Sequence, residues 1–132
     1  MQKTLILLKP DCLRRGLVGE VISRIEEKGY EIADIKMMRL DEPLLRIHYA
    51  HIADKPFFPN VVRYMTSGAV IAMILKGGNV VAGMRALLGA TKCDEAEPGT
   101  IRGDLGNGSE ENLIHASDSP EAAAAEIARF FA

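Results

Sequence analysis

Asn112-Leu-Ile-His-Ala-Ser-Asp-Ser119 carries more information than any other stretch of this chain. Leu113-Ile114-His115 reads as a short apolar strand that ends in an imidazole. The polar turn after it leads to Ser119-Pro120-Glu121, which supplies a helix cap, a proline at the first helical position and an acid in the first turn. A residue at a strand end facing a loop can point into a cleft. Histidine is the side chain whose unperturbed pKa leaves much of it neutral and nucleophilic near pH 7, which suits capture of a phosphate. A lone histidine in such a place is more often satisfied by a local hydrogen bond, so the rest of the chain must decide.

Outward from this segment, strand and helix signals alternate. Thr4-Leu-Ile-Leu-Leu8 is a continuous apolar run that predicts a buried strand ending at Lys9-Pro10 and delivering Lys9 to a loop. Residues 13–28 place Leu17, Val21, Ile25 and Lys28 at helical spacing, with Gly29 as the stop. Tyr30 to Arg39 predicts a strand, and Asp41 caps a short helix with Pro43 in its first turn and Leu44, Leu45 and His48 along its face. After the break at Lys55-Pro56 a helix is expected over Phe57 to Thr66, then a strand at Ala69-Val-Ile-Ala-Met-Ile-Leu75 and a helix over Val80 to Leu88. Gly89 to Glu111 has little periodicity and reads as an extended surface loop, a length that is usually functional. Ala122 to Ala125 favour the last helix. The order β-α-β-α-α-β-α-loop-β-α matches an α+β, ferredoxin-like split β-α-β core with an antiparallel sheet, although pattern alone leaves that topology open.

Composition narrows the possible functions. The 132 residues, 48% of them hydrophobic, fit one domain spanning 1–132. A formal charge of −2 provides no global basic field to attract nucleic acid, so a phosphate ligand needs a local cluster of cations. Cys12 and Cys93 are far apart with no Cys-x-x-Cys spacing, which argues against a zinc site or a disulfide scaffold and for free thiols in a reducing cytosol. The N-terminal apolar run is too short for a signal peptide or a membrane span, so a soluble, cytoplasmic protein without a membrane partner is expected. No G-x-x-x-x-G-K-[ST] loop is present, and Gly103, Gly106 and Gly108 do not follow G-x-G-x-x-G. Phosphate binding must then rest on side chains. His48 and His51, three apart with Asp54 nearby, have a spacing that could bind metal. Without a third strong ligand they are expected to face solvent, and no protein metal site is assigned.

The segment around His115 resembles the active-site signature of nucleoside diphosphate kinases. Lys9-Pro-Asp11, Arg15-Gly-Leu-Val-Gly-Glu20, Lys55-Pro-Phe-Phe58, Tyr64-Met-Thr-Ser-Gly68 and Pro98-Gly-Thr-Ile-Arg-Gly-Asp104 look like that family's other blocks, in the family's order. The resemblance covers essentially the whole chain. It implies a ferredoxin-like split β-α-β sandwich, with a four-stranded antiparallel sheet covered by helices. The implied activity is ping-pong transfer of the γ-phosphoryl group from a nucleoside triphosphate to a nucleoside diphosphate through a phosphohistidine at His115. Such transfer depends on positioning and charge stabilisation, and a covalent intermediate lets one pocket serve donor and acceptor in turn.

By the same resemblance, Lys9 contacts the γ-phosphate and the Tyr49 hydroxyl lies near the transferred group. Arg85, Thr91 and Arg102 contact phosphates, and an isolated arginine would otherwise be a surface salt bridge worth little. Asn112 bonds the ribose and phosphate end, and Ser117 with Glu126 orients the histidine ring. Phe57 stacks on the base, while Phe58 is read as core. Mg2+ is implied with the nucleotide, bridging phosphate oxygens rather than caged by protein. A homo-oligomer is implied, with dimer, tetramer and hexamer equally open because the chain stops at Ala132, where many relatives continue. Two departures stand out. Residues 105–111 replace a more apolar and basic stretch, with Ser109 where an apolar residue commonly packs on the second base face, which predicts a weaker base sandwich. Ala116 replaces a glycine, which demands a negative φ. A non-enzymatic relative would be expected to lack His115, Lys9 or Arg102, and none is lost. A small nucleic-acid-binding module would show a basic face and interleaved aromatics, which this chain lacks.

Overall fold

In the computed structural model, which describes residues 1–108 and 111–132, four strands form one antiparallel sheet in the order β2-β3-β1-β4. They are β1 (Gln2–Leu8), β2 (Glu31–Met38), β3 (Val70–Gly77) and β4 (Ile114–Ala116). The two continuous apolar runs, in β1 and β3, take the centre because both faces of a central strand are covered. β2 lies at an edge, largely exposed, with its register to β3 shifted between Ile32 and Asp34. This is the ferredoxin-like arrangement expected from the sequence.

Side chains alternate across the sheet, so β1 feeds two cores. Ile6 and Leu8 join Ile71, Met73 and Leu75 under α2 (Val18–Glu27) and α5 (Val80–Leu88). Leu5 and Leu7 join Val70 and Ala72 under α3 (Glu42–His48), α4 (Phe58–Met65) and α7 (Pro120–Phe131). β4 pairs with β1 through Leu7↔His115, and antiparallel partners share a face. The ring of His115 is thereby assigned to the α3 and α7 side of the sheet.

Helix starts follow local chemistry. Asp41 accepts from Leu44 N at 3.0 Å and Ser119 from Ala122 N at 3.0 Å, each followed by a proline in the first turn. Three expectations need correction. The single helix over 13–28 is two, α1 (Pro10–Arg14) and α2, separated at Gly16, whose φ of +69° lies outside the helical region. The stretch from Gly89 to Glu111 is not simply loop: it contains a 3-10 turn at Cys93–Glu95 and α6 (Ile101–Leu105), capped by Thr100 Oγ1 accepting from Gly103 N at 3.0 Å. β4 begins at Ile114 rather than Leu113, because Leu113 has a φ of +71° and Ile114 N donates to Asn112 O across it at 2.8 Å. The expectation for Ser109 lies outside the described residues, whereas Ala116 has the negative φ expected of it.

Candidate active site

The site forms where three segments meet: the end of β1, the turn before β4 and the face of α7. Lys9 caps α1, and its backbone N–H donates to Leu113 O at 2.8 Å, which locks the two strand ends together. Its Nζ donates to Asn112 Oδ1 at 2.7 Å. Burial, reinforced by the nearby Arg102 guanidinium, lowers the Lys9 pKa to about 8 despite the neighbouring Asp11. The turn is held from below. Buried Asp11 accepts from Leu113 N at 3.1 Å through one oxygen and from the Tyr64 hydroxyl at 2.5 Å through the other. Sequence reading assigned no role to Asp11 or Tyr64. Asp11 falls before the helix expected over 13–28, and its burial, which obliges the carboxylate to find partners, comes from α1 and so has no local signal.

Arg102 is a buried cation, only 4% exposed. Its guanidinium donates to three backbone carbonyls: Nε to Asn112 at 3.2 Å, Nη1 to Gly89 at 3.2 Å and Nη2 to Ile114 at 2.5 Å. It therefore ties the glycine-ended α5 to both sides of the Leu113 turn while facing the same cavity as His115. Gly89 itself has a φ of +84°, and a Cβ there would meet Thr100, so both conformation and space require a glycine at this position. Arg85 is exposed on α5 and donates to Ala116 O at 3.3 Å.

His115 has one ring nitrogen committed. Nε2 lies 2.7 Å from Glu126 Oε1, and the Ser117 hydroxyl donates to the same oxygen at 2.8 Å while accepting from Leu5 N at 3.2 Å. An ionised carboxylate only accepts, so Nε2 carries the proton and Nδ1 keeps the lone pair. Burial lowers the His115 pKa, the Glu126 bond works against it, and Lys9 and Arg102 add to the lowering, so the ring is neutral near pH 7. Glu126 is affected in the opposite way: burial would raise its pKa, but the bonds from His115 and Ser117 hold the carboxyl below its usual range.

A cavity of about 240 Å³ is lined by His115, Lys9, Tyr49, Arg85, Thr91, Arg102, Asn112 and Glu126, together with His51 and Asp118. Ser117 stands behind Glu126. Burial raises the Tyr49 phenol to about 12, which leaves it protonated and able to donate. Thr91 is exposed, and its carbonyl accepts from Asn112 Nδ2 at 3.3 Å. A second cavity of about 430 Å³ shares Lys9, Tyr49, Thr91 and Asn112 and continues outward past Ile52, Val61 and Tyr64 to Phe57. Phe57 is 50% exposed at the outer end of this cavity, while Phe58 is buried in the core as expected. The two cavities form one cleft, cationic at its inner end and apolar at its outer end.

His48 departs from its sequence reading. It does not face solvent: it is 8% exposed, with its ring edge-on to His115 at 4.8 Å between centroids, and its Nδ1 accepts from Arg129 Nη1 at 3.0 Å. That bond commits one of its two ring nitrogens.

Comparisons with known proteins agree with this geometry. The family model described as "Nucleoside diphosphate kinase" matches residues 2–132. The chain is 51% identical to a nucleoside diphosphate kinase of Acetivibrio thermocellus over 131 residues, covering 99% of this chain and 96% of that one. Among solved structures, it superposes on the apo nucleoside diphosphate kinase of Encephalitozoon cuniculi with a TM-score of 0.96 at 41% identity, covering 98% of this chain and 88% of that one. The enzyme of Halobacterium salinarum in complex with CDP gives 0.95 at 46% identity, with 98% and 87% covered.

Proposed function

The chain belongs to the nucleoside diphosphate kinase family, and on that premise we propose that it transfers the γ-phosphoryl group of a nucleoside triphosphate to a nucleoside diphosphate through a phosphohistidine at His115. The observation that carries this reading is the division of labour on the ring. Glu126 takes Nε2, and the lone pair on Nδ1 is left beside a cavity lined by Lys9, Arg85 and Arg102. In the first half-reaction Nδ1 bonds to the γ-phosphorus while the bond from phosphorus to the bridging oxygen breaks, and its electron pair leaves on the departing diphosphate. In the second, a different nucleoside diphosphate supplies the attacking oxygen and the Nδ1–phosphorus bond breaks.

Lys9 and Tyr49 contact the transferred group, and Arg85, Thr91 and Arg102 contact the phosphates, where positive charge and hydroxyls counter the charge spread over the phosphoryl oxygens. Asn112 holds Lys9 in place and reaches the ribose and phosphate end. Phe57 stacks on the base, a contact open to every base because each has a π-face. Ser117 and Glu126 fix the ring and stabilise the positive charge that develops on it. Among the described residues lining the inner cavity, Asp118 is the carboxylate without a hydrogen-bonded side-chain partner. That donor set fits a Mg2+ carried on nucleotide phosphates with one protein carboxylate nearby, and the ion would neutralise phosphate charge.

The reading extends to the whole molecule. Residues 1–132 form one domain, since a single sheet supports both cores. The exposed edge strand β2, with Ile35 47% and Met37 66% exposed, supports a homo-oligomer of two, four or six chains. The free, buried thiols of Cys12 and Cys93 suit the reducing cytoplasm.

The test is incubation with γ-32P-labelled ATP and Mg2+. The protein should gain acid-labile label that leaves on addition of a nucleoside diphosphate, and His115→Ala should gain none while keeping its circular dichroism spectrum. Label of equal amount on the alanine variant would overturn the assignment.

A further inference from the structure

We propose that Arg129 is a positioning residue for phosphoryl transfer: it holds the His48 ring in one tautomer, edge-on against His115. The proposal rests on His115 being the acceptor. Glu126 and Arg129 are three residues apart on α7, so they project from the same helix face. One grips His115 at Nε2 and the other grips His48 at Nδ1, and the two rings meet at 77° between their planes. A guanidinium only donates, so Nδ1 of His48 must accept, and the single proton of the neutral ring is on Nε2. Tyr49 at 4.8 Å and Phe130 at 5.2 Å, both edge-on, pack against the same ring, so it cannot turn without losing all three contacts.

The charge state of His48 matters because of where the ring lies. As His115 accepts a phosphoryl group its ring becomes cationic, and a second cationic imidazole 4.8 Å away would oppose that step. The groups facing His48 are Arg129 and Glu126 from α7, His115 from β4, Lys9 from the end of β1 and Tyr49 from its own helix end. Burial, His115, Arg129 and Lys9 disfavour a proton on His48, and Glu126 alone favours one, so His48 stays neutral. Arg129 contributes twice, by its charge and by occupying the lone pair that a proton would take.

Arg129→Leu tests this, with Arg129→Lys as the charge-retaining partner. Rapid-quench measurement of phosphohistidine formation against pH should show Arg129→Leu about tenfold slower, the equivalent of one lost hydrogen bond. Its KM for ATP should be unchanged, because Arg129 does not line the cleft. Removing a cation makes the histidine pair easier to protonate, so the acid limb of the profile should move up by about one pH unit. Arg129→Lys should keep the limb where it is in the parent. An acid limb that does not move in Arg129→Leu would overturn the proposal. If that variant does not fold, 15N spectra of the parent protein decide. His48 must be neutral and protonated on Nε2 at pH 7, and a proton on Nδ1 refutes the arrangement. Failure of the acceptor assignment looks different, since His115→Ala would then gain as much label as the parent protein.

Discussion

Replacing Glu126 by glutamine isolates what a negative charge behind the nucleophile contributes. The parent carboxylate oxygen accepts from His115 Nε2 at 2.7 Å and from the Ser117 hydroxyl at 2.8 Å, in a setting where the His115 and Glu126 side chains are only 20% and 13% exposed. Glutamine keeps an acceptor oxygen at the same reach and loses the charge. A charge-assisted bond contributes about 1.5–3 kcal/mol and a neutral one about 0.5–1.5 kcal/mol, so the substitution should forfeit about 1–1.5 kcal/mol of transition-state stabilisation. That corresponds to phosphohistidine formation roughly tenfold slower in single-turnover quench experiments. KM for the triphosphate should hold, because the charge develops on the ring only as the phosphorus–nitrogen bond forms.

The pH profile supplies an independent check. The Glu126 bond raises the His115 pKa against the lowering effect of burial, so removing the charge lets that pKa fall further. Attack requires the unprotonated Nδ1, so the acid limb should move to lower pH, opposite to the direction expected for Arg129→Leu. A Glu126→Gln enzyme with unchanged single-turnover rate, or with an acid limb displaced upward, would refute the idea that Glu126 acts through charge on the ring.

Further consequences are open to direct measurement. Lys9, with its pKa lowered to about 8, should lose its charge as pH rises through that value, so kcat/KM should show an alkaline limb near there. Lys9→Arg should abolish that limb even if its rate is lower throughout. Asp11→Ala should leave Leu113 N and the Tyr64 hydroxyl without their acceptor, and urea denaturation should report a loss of about 2–6 kcal/mol for two such groups. An unchanged urea midpoint would mean that the turn does not depend on that carboxylate. Phe57→Ala should raise KM about tenfold and similarly for purine and pyrimidine nucleotides, the worth of one base–aromatic stack, with little loss of stability because the ring is half exposed. A KM change confined to one base would mean that Phe57 makes a directed contact.

Much of this architecture was legible because its signals are local. The apolar runs of β1 and β3, the Asp41 and Ser119 caps and the stop at Gly29 each act over a few residues, and the structure places them close to where the sequence predicts. The failures came from tertiary geometry. The spacing of His48 and His51 suggested one shared helix face, but α3 ends at His48, and Tyr49 already has the non-helical φ/ψ of −108° and 36°. The i,i+3 rule therefore does not apply, and the two rings part: His48 is buried against β4 and α7 while His51 is exposed at the cavity rim. Nothing local marks Arg129, because its partner is 81 positions away in sequence. α6 is too short for periodicity to reveal, although Thr100 already carried its cap.

The residue with the least promising local chemistry explains why these groups meet. Leu113 is an apolar L-residue held at φ +71°, a conformation that costs on the order of 1–2 kcal/mol and that glycine would adopt freely. The tight turn it makes bends the chain just before β4, so that Asn112 reaches Lys9 while Ile114 to Ala116 keep their pairing with β1. A relaxed, extended Leu113 would shift β4 by about one position along β1, and a one-residue slip exchanges the faces of a strand. His115 would then enter the α2 and α5 core, and Ile114 or Ala116 would take its place beside Glu126. The bonds from Leu113 N to Asp11, from Lys9 N to Leu113 O and from Arg102 to the carbonyls on either side all hold the turn in its strained form. Each is made by a residue at or next to the cleft, so the groups that line the phosphate end also enforce the register that presents the histidine to it.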